Sequence, residues 1–237
     1  MTRTGGVPRK ATEGEVAIVF DMDGVLLQGA ATDPEVYRAA ARDAVAELGI
    51  EELPESEFEV LAEPRYSERM AEACDALGID RDAWWAARER HASRRTNERL
   101  REGVREPFGD VDIVEELAGR VPLGLASNNR QATVSFVATQ LFGDAFEAVV
   151  GREPTISGYR RRKPEPDLVT EALTRLDAEG GLYVGDREHD LIAAERAGVL
   201  GVFVDRPHNQ ERTDLDVDPP FVIDSLSELP RVLDRIE

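Results

Sequence analysis

Residues 16–24 read VAIVFDMDG. The apolar run 16–20 shows no polar alternation, as expected of a parallel strand buried on both faces. It stops abruptly at Asp21 and Asp23, two residues apart, and Gly24 opens a turn. Open α/β sheets bind ligands at the carboxyl ends of their strands. Two acids and a turn glycine at such a tip suit metal-assisted chemistry, although an acidic chain also produces D-x-D by chance.

Beyond this strand the pattern changes twice. Residues 33–106 carry helix signals and no convincing strand. Asp33-Pro34 offers an N-cap and a first-turn proline. Tyr37, Ala41, Ala44 and Leu48 then share one helical face, and Gly49 stops it. A short helix is expected around 55–62. Another follows Ser67, with Met70, Ala73 and Leu77 on one face, and a long one starts at Asp80 and carries Trp84 and Trp85. From Phe108 onward strands and helices alternate. Strands are expected at 122–126, 145–150, 181–184 and 201–204, with helices at 111–117, 129–140, 165–176 and 189–197. Such alternation implies an α/β fold, a parallel sheet with helices on both faces. The division expected is a core of residues 1–29 and 108–237 with an all-α insert, 30–107, seated over the strand tips.

The 237 residues carry a formal net charge of −19. That argues against nucleic acid or an anionic membrane as the main partner. Only Lys10 and Lys163 are lysines; nearly all other positive charge is arginine. An acid-rich, lysine-poor surface fits work in very high salt, and GC-rich coding bias gives the same composition. Cys74 is the only cysteine, so no intramolecular disulfide is expected. No apolar stretch approaches the ~18 residues of a membrane span. The amino-terminal MTRTGGVPRKATEGE lacks a signal-peptide apolar core and reads as a loose polar tail. A cytoplasmic location is the expectation; oligomeric state is not legible.

Three further strand ends carry polar groups. Ser127-Asn128-Asn129 precedes a helix, where a hydroxyl and free N–H groups form either an anion site or an ordinary cap. Lys163 follows Arg160, Arg161 and Arg162; a lone lysine amid such arginine preference suggests a need for a compact ammonium. Gly185-Asp186 ends a strand, and Asp190 lies at the following helix start, where the dipole alone favours an acid. If the sheet forms as read, Asp21, Asp23, Asp186 and Asp190 meet beside Ser127 and Lys163. Four carboxylates in one crevice repel each other, and an all-oxygen set suits Mg²⁺. With a metal, a lysine and helix-start amides, the crevice becomes a phosphate receptor.

DMDGV at 21–25, Ser127, Lys163 and GDREHD at 185–190 together resemble the four motifs of the haloacid dehalogenase superfamily, in order. Within that family the chain looks phosphoglycolate phosphatase-like. The resemblance implies a Rossmann-like core with a helical cap. It also implies an aspartyl-phosphate on Asp21, with Asp23 as general acid and base. Mg²⁺ would be held by Asp21, the Asp23 carbonyl and Asp186, with Asp190 supporting; Ser127, Asn128 and Lys163 would hold the phosphoryl oxygens. Arg187 departs from the small or hydroxyl residue found there in many relatives. The expected function is hydrolysis of a small-metabolite phosphomonoester, phosphoglycolate- or sugar-phosphate-like. A phosphosugar mutase is the enzymatic alternative, and a non-catalytic phosphate-binding protein the alternative of another class. A dehalogenase is disfavoured by Asp23, and a phosphonate hydrolase by the absence of lysine from 30–107. Arg65 and Tyr66 are candidate specificity residues in an inter-helix loop. The arginines at 88, 94, 95 and 99 read as a solvated helical face.

Overall fold

The computed structural model describes residues 16–29, 32–209 and 217–236; the amino-terminal tail and Lys10 lie outside them. Strand β1 (Val16–Phe20) leads into four helices, α1 (Pro34–Glu47), α2 (Glu55–Leu61), α3 (Glu68–Ala76) and α4 (Arg81–Arg101). The alternating part follows as α5 (Ile113–Ala118), β2 (Leu123–Arg130), α6 (Gln131–Phe142), β3 (Ala148–Arg152), α7 (Ile156–Arg160), α8 (Asp167–Leu176), β4 (Gly180–Gly185), α9 (Glu188–Arg196), β5 (Leu200–Val204), β6 (Phe221–Ile223) and α10 (Leu229–Leu233). The six strands form one parallel sheet in the order β3-β2-β1-β4-β5-β6.

The unalternating run in β1 has the expected cause. Ile18 and Phe20 enter one core layer with Leu123, Leu125, Leu182 and Val202, while Ala17 and Val19 enter the other with Val169, Ala172 and Ala193. Burying each of Ile18, Val19 and Phe20 contributes roughly 1.5–3 kcal/mol. The chain runs from β1 to β2 on one side, while β4 pairs on the other. Connections therefore diverge at the β1 tip and leave a crevice, as at the switch point of doubly wound sheets.

The helical insert forms for the local reasons expected. Asp33 accepts from the Glu35 N–H (2.9 Å), Ser67 from Met70 (3.2 Å) and Asp80 from Ala83 (2.7 Å), each cap contributing about 1 kcal/mol. Trp84 and Trp85 are both buried in the bundle. The arginine-rich face of α4 departs from expectation. Arg94 and Arg95 pair with Asp43 of α1, and Arg99 pairs with Asp33; Arg88 is wholly buried. These side chains dock α4 on its neighbours rather than only meeting solvent.

Three elements were not anticipated: α7, β6 and α10. Each has only three to five residues, too short for periodicity to declare itself. Boundaries also moved. β2 continues through Arg130, and α6 starts at Gln131 rather than 129. Among the described residues, no helix is long and apolar enough to cross a membrane.

Candidate active site

Asp21 leaves β1 with its N–H donated to the Val184 carbonyl at 2.8 Å, which fastens the strand tip to β4. Gly24 then turns the chain at φ +87°, and a Cβ there would lie 2.3 Å from Asp186 Oδ2. Glycine is thus required both by conformation and by the approach of Asp186. At the β4 tip a Cβ on Gly185 would lie 2.3 Å from that of Asp190. Both glycines let carboxylates crowd together.

Asp21, Asp186 and Asp190 each offer a carboxylate oxygen within 4.8 Å of the others. Lys163 stands between two of them, its Nζ 2.8 Å from Asp21 Oδ1 and 2.7 Å from Asp190 Oδ1. It also donates to the Tyr183 hydroxyl at 2.5 Å, and that hydroxyl donates to the Ala126 carbonyl at 2.7 Å. Burial, opposed by Lys163 and reinforced by the neighbouring acids, pushes the Asp21 carboxyl up to about 7. Burial and Asp190 also raise Asp186, against the pull of His208 and Arg187. Burial alone would lower the Lys163 ammonium, but Asp190 and Asp21 raise it well above its ordinary value. Lysine is therefore the held cation of the crevice.

The donor set fits a hard divalent cation. Asp186 Oδ1 is buried and accepts no hydrogen bond, whereas Oδ1 of Asp21 and of Asp190 face the Lys163 ammonium. A buried carboxylate oxygen without a partner, crowded by two further carboxylates, is costly unless a cation meets it. Asp190 contributes an oxygen to this cluster directly, and it also caps α9 by accepting from the Arg187 N–H at 3.1 Å.

Asp23 turns to other partners. Arg105 Nη1 donates to its Oδ1 at 2.7 Å and Asn129 Nδ2 to its Oδ2 at 3.0 Å. Arg105 also donates to the Gln28 and Gly29 carbonyls, at 2.9 and 2.7 Å. One guanidinium thus ties the chain leaving the core, the chain returning from the insert and the Asp23 carboxylate.

Ser127 is buried, with its Oγ accepting from the Asn129 N–H at 3.3 Å. Because β2 continues to Arg130, Ser127 and Asn128 lie on the strand end and are not helix-start residues. The Asn128 side chain donates to the Lys163 carbonyl (3.0 Å) and accepts from its N–H (2.7 Å), which fixes the lysine loop against β2. Arg65 is exposed, whereas Tyr66 packs edge-on against Trp85 at 5.4 Å. Sequence reasoning missed Arg105, Asn129, Tyr183, His208 and Asn209. His208 Nε2 lies 2.7 Å from Asp186 Oδ2, and Asn209 donates to the Asp186 carbonyl at 2.8 Å. They follow β5, in a segment with no motif of its own.

Comparison with known proteins gives the family of the chain. The family model for haloacid dehalogenase-like hydrolases matches residues 16–198. The chain is 31% identical over 192 residues to a 5'-nucleotidase of Pseudomonas aeruginosa, covering 79% of this chain and 81% of the relative. It is 26% identical to a phosphoglycolate phosphatase of Synechococcus elongatus, covering 93% of this chain and 98% of the relative. The crystal structure of CbbY from Rhodobacter sphaeroides in complex with phosphate superimposes with a TM-score of 0.61 at 22% identity, covering 91% of this chain and 96% of CbbY. That likeness concerns the fold.

Proposed function

The chain belongs to the haloacid dehalogenase-like hydrolases, and on that premise we propose that it is a Mg²⁺-dependent phosphatase of a small-metabolite phosphomonoester, acting through an aspartyl-phosphate on Asp21. The observation that carries this reading is the convergence of the Asp21, Asp186 and Asp190 carboxylates, with one buried ammonium paired to Asp21 and Asp190. Relatives named phosphoglycolate phosphatase, 5'-nucleotidase and pyrophosphatase support a phosphorylated substrate.

Asp21, Asp186 and Asp190 would hold Mg²⁺ with the Asp23 carbonyl; bound there, the metal would neutralise the carboxylates and draw charge from the phosphoryl oxygens. The protein's own residues do the rest. Lys163 favours the ionised form of Asp21, the form that attacks phosphorus. A bond forms from an Asp21 oxygen to phosphorus as the bond to the leaving oxygen breaks. Asp23 gives that oxygen a proton and later takes one from the attacking water. Arg105 and Asn129 hold the Asp23 carboxylate by both oxygens, which fixes its orientation. Ser127 and Lys163 offer donors to the phosphoryl oxygens.

The test is turnover of a panel of metabolite phosphates and an activated aryl phosphate, with Mg²⁺ and after chelation. Turnover that needs Mg²⁺, with a phosphoryl group found on Asp21 after rapid acid quench, is the expected result. Full turnover in excess chelator, or an Asp21→Asn variant with wild-type activity, would overturn it.

A further inference from the structure

Residues 205–209, which follow β5, brace the acidic strand tips. The Arg206 guanidinium pairs with both oxygens of Asp110, at 2.9 and 3.0 Å, and donates to the Val25 carbonyl at 2.9 Å. The same group lies over the Phe108 ring at 3.9 Å. Asn209 accepts from the Arg206 N–H at 2.7 Å and donates to the Val204 and Asp186 carbonyls at 3.0 and 2.8 Å. The backbone that carries His208 is therefore tied to the turn after β1, to the chain returning from the insert and to the tip of β4.

His208 stands where this brace meets the carboxylates. Its Nε2 lies 2.7 Å from Asp186 Oδ2. An ionised carboxylate only accepts hydrogen bonds, so the hydrogen of that contact belongs to the ring. Two other groups crowd the same oxygen. Arg187 Nε is 3.6 Å from it, and a Cβ on Gly24 would lie 2.3 Å away. Asp186 Oδ1 has the opposite surroundings. It is buried and accepts no hydrogen bond among the described residues, although its carboxylate belongs to the cluster with Asp21 and Asp190.

The two oxygens of one carboxylate are thus divided between a protein donor and an open face. A carboxylate turns about its last torsion over a broad range, so one oxygen is aimed by holding the other. Aim matters because Mg²⁺ demands near-octahedral geometry. Donors behind a metal ligand typically decide how well that ligand binds.

We propose that His208 is a positioning residue of the metal site: by holding Asp186 Oδ2 it aims Oδ1 at a divalent cation. The proposal rests on the phosphatase reading above for the presence of that cation. It also gives a reason for the burial of Arg206 and Asn209, which fix the backbone on either side of the ring.

The test is metal affinity, read without turnover. Mn²⁺ binding is followed by loss of the free-ion electron paramagnetic resonance signal, and Mg²⁺ binding by competition against it. His208→Leu should raise the Kd for both ions by roughly 10- to 100-fold. His208→Gln, which can place a side-chain N–H near the position of Nε2, should recover most of that loss. A merely structural imidazole would change Tm in chelator and leave the affinity of the folded protein as it was. The leucine variant should also regain turnover as Mg²⁺ is raised, because the reacting groups are untouched. Wild-type affinity in His208→Leu would overturn the proposal, and so would a glutamine variant no better than leucine. The His208 side chain is 25% exposed, so its loss should leave the fold standing. If His208→Leu nevertheless fails to fold, His208→Asn, whose amide falls short of Oδ2, takes its place under the same criteria. Unchanged affinity alongside Mg²⁺-dependent turnover defeats this proposal alone. Weakened affinity in a protein that turns over no phosphomonoester defeats the phosphatase reading and leaves the metal site standing. A wild type that binds neither ion defeats both.

Discussion

Replacing Lys163 by methionine removes the buried ammonium that pairs with two of the clustered carboxylates. The Nζ lies 2.8 Å from Asp21, 2.7 Å from Asp190 and 2.5 Å from the Tyr183 hydroxyl, and its side chain is wholly buried. Breaking a buried pair by deleting one partner costs about 3–5 kcal/mol. At about 2–4 °C per kcal/mol for a chain of this size, Tm should fall by about 6–20 °C in chelator. The loss should be largest at mildly alkaline pH. It should shrink as pH falls toward the Asp21 value of about 7, because without Lys163 the carboxyl takes up its proton above that value. Mg²⁺ should restore part of it by replacing one cation with another. Lys163→Arg should do little better than methionine, because a planar fork does not place one donor point among three converging oxygens. The assay is thermal unfolding by circular dichroism with and without Mg²⁺. A Lys163→Met protein that melts within about 1 °C of wild type in chelator would refute the reasoning.

Asp23→Asn should slow alkyl phosphates about 10²–10⁴-fold and activated aryl phosphates less, with aspartyl-phosphate accumulating in the aryl case; wild-type rates on alkyl phosphates would move the proton shuttle elsewhere. Burial opposes ionisation of Glu89, yet Arg130, Arg152 and Arg88 bring its carboxyl from 4.5 down to about 2. That depression contributes roughly 3 kcal/mol, fully present above the unfolded value and lost as pH falls through the folded one. The urea-midpoint gap between wild type and Glu89→Gln should therefore close on acidification from pH 5 toward 2, and a constant gap would contradict it. With 48 acids against 29 lysines and arginines, Tm should rise from low to molar KCl as the Debye length falls to about 3 Å; an indifferent Tm would assign the composition to coding bias.

The sheet and its acidic tips were legible because the signals are local. An apolar run ending in an acid is visible at Asp21 and again at Asp186. The caps at Asp33, Ser67 and Asp80 were legible for the same reason. What stayed hidden comes from distant segments. Arg105 and Asn129 meet Asp23 across 82 and 106 residues, and no spacing encodes that. Arg88, beside Glu89, looked solvated because arginine usually is. Their positions tell otherwise: Trp85, Arg88, Glu89, Ala92 and Thr96 recur at helical spacing, and all are buried. Read by face rather than residue type, that stripe would have marked the charged pair as interior.

The position of β1 at the centre of the sheet has a consequence during synthesis. Ile18 pairs with Leu123 on one side and Leu182 on the other, so its first neighbour leaves the ribosome about a hundred residues later. At about 5–20 residues per second, both edges of this strand wait several seconds to tens of seconds for a partner. A bare VAIVF segment is the kind of template on which nascent chains aggregate. Glu15 before it and Asp21 and Asp23 after it are the flanking charges that discourage such pairing. Two of the acids proposed for the reaction centre are thus expected to guard the unfinished polypeptide as well, and neutralising them should lower the yield of soluble protein before any chemistry is measured.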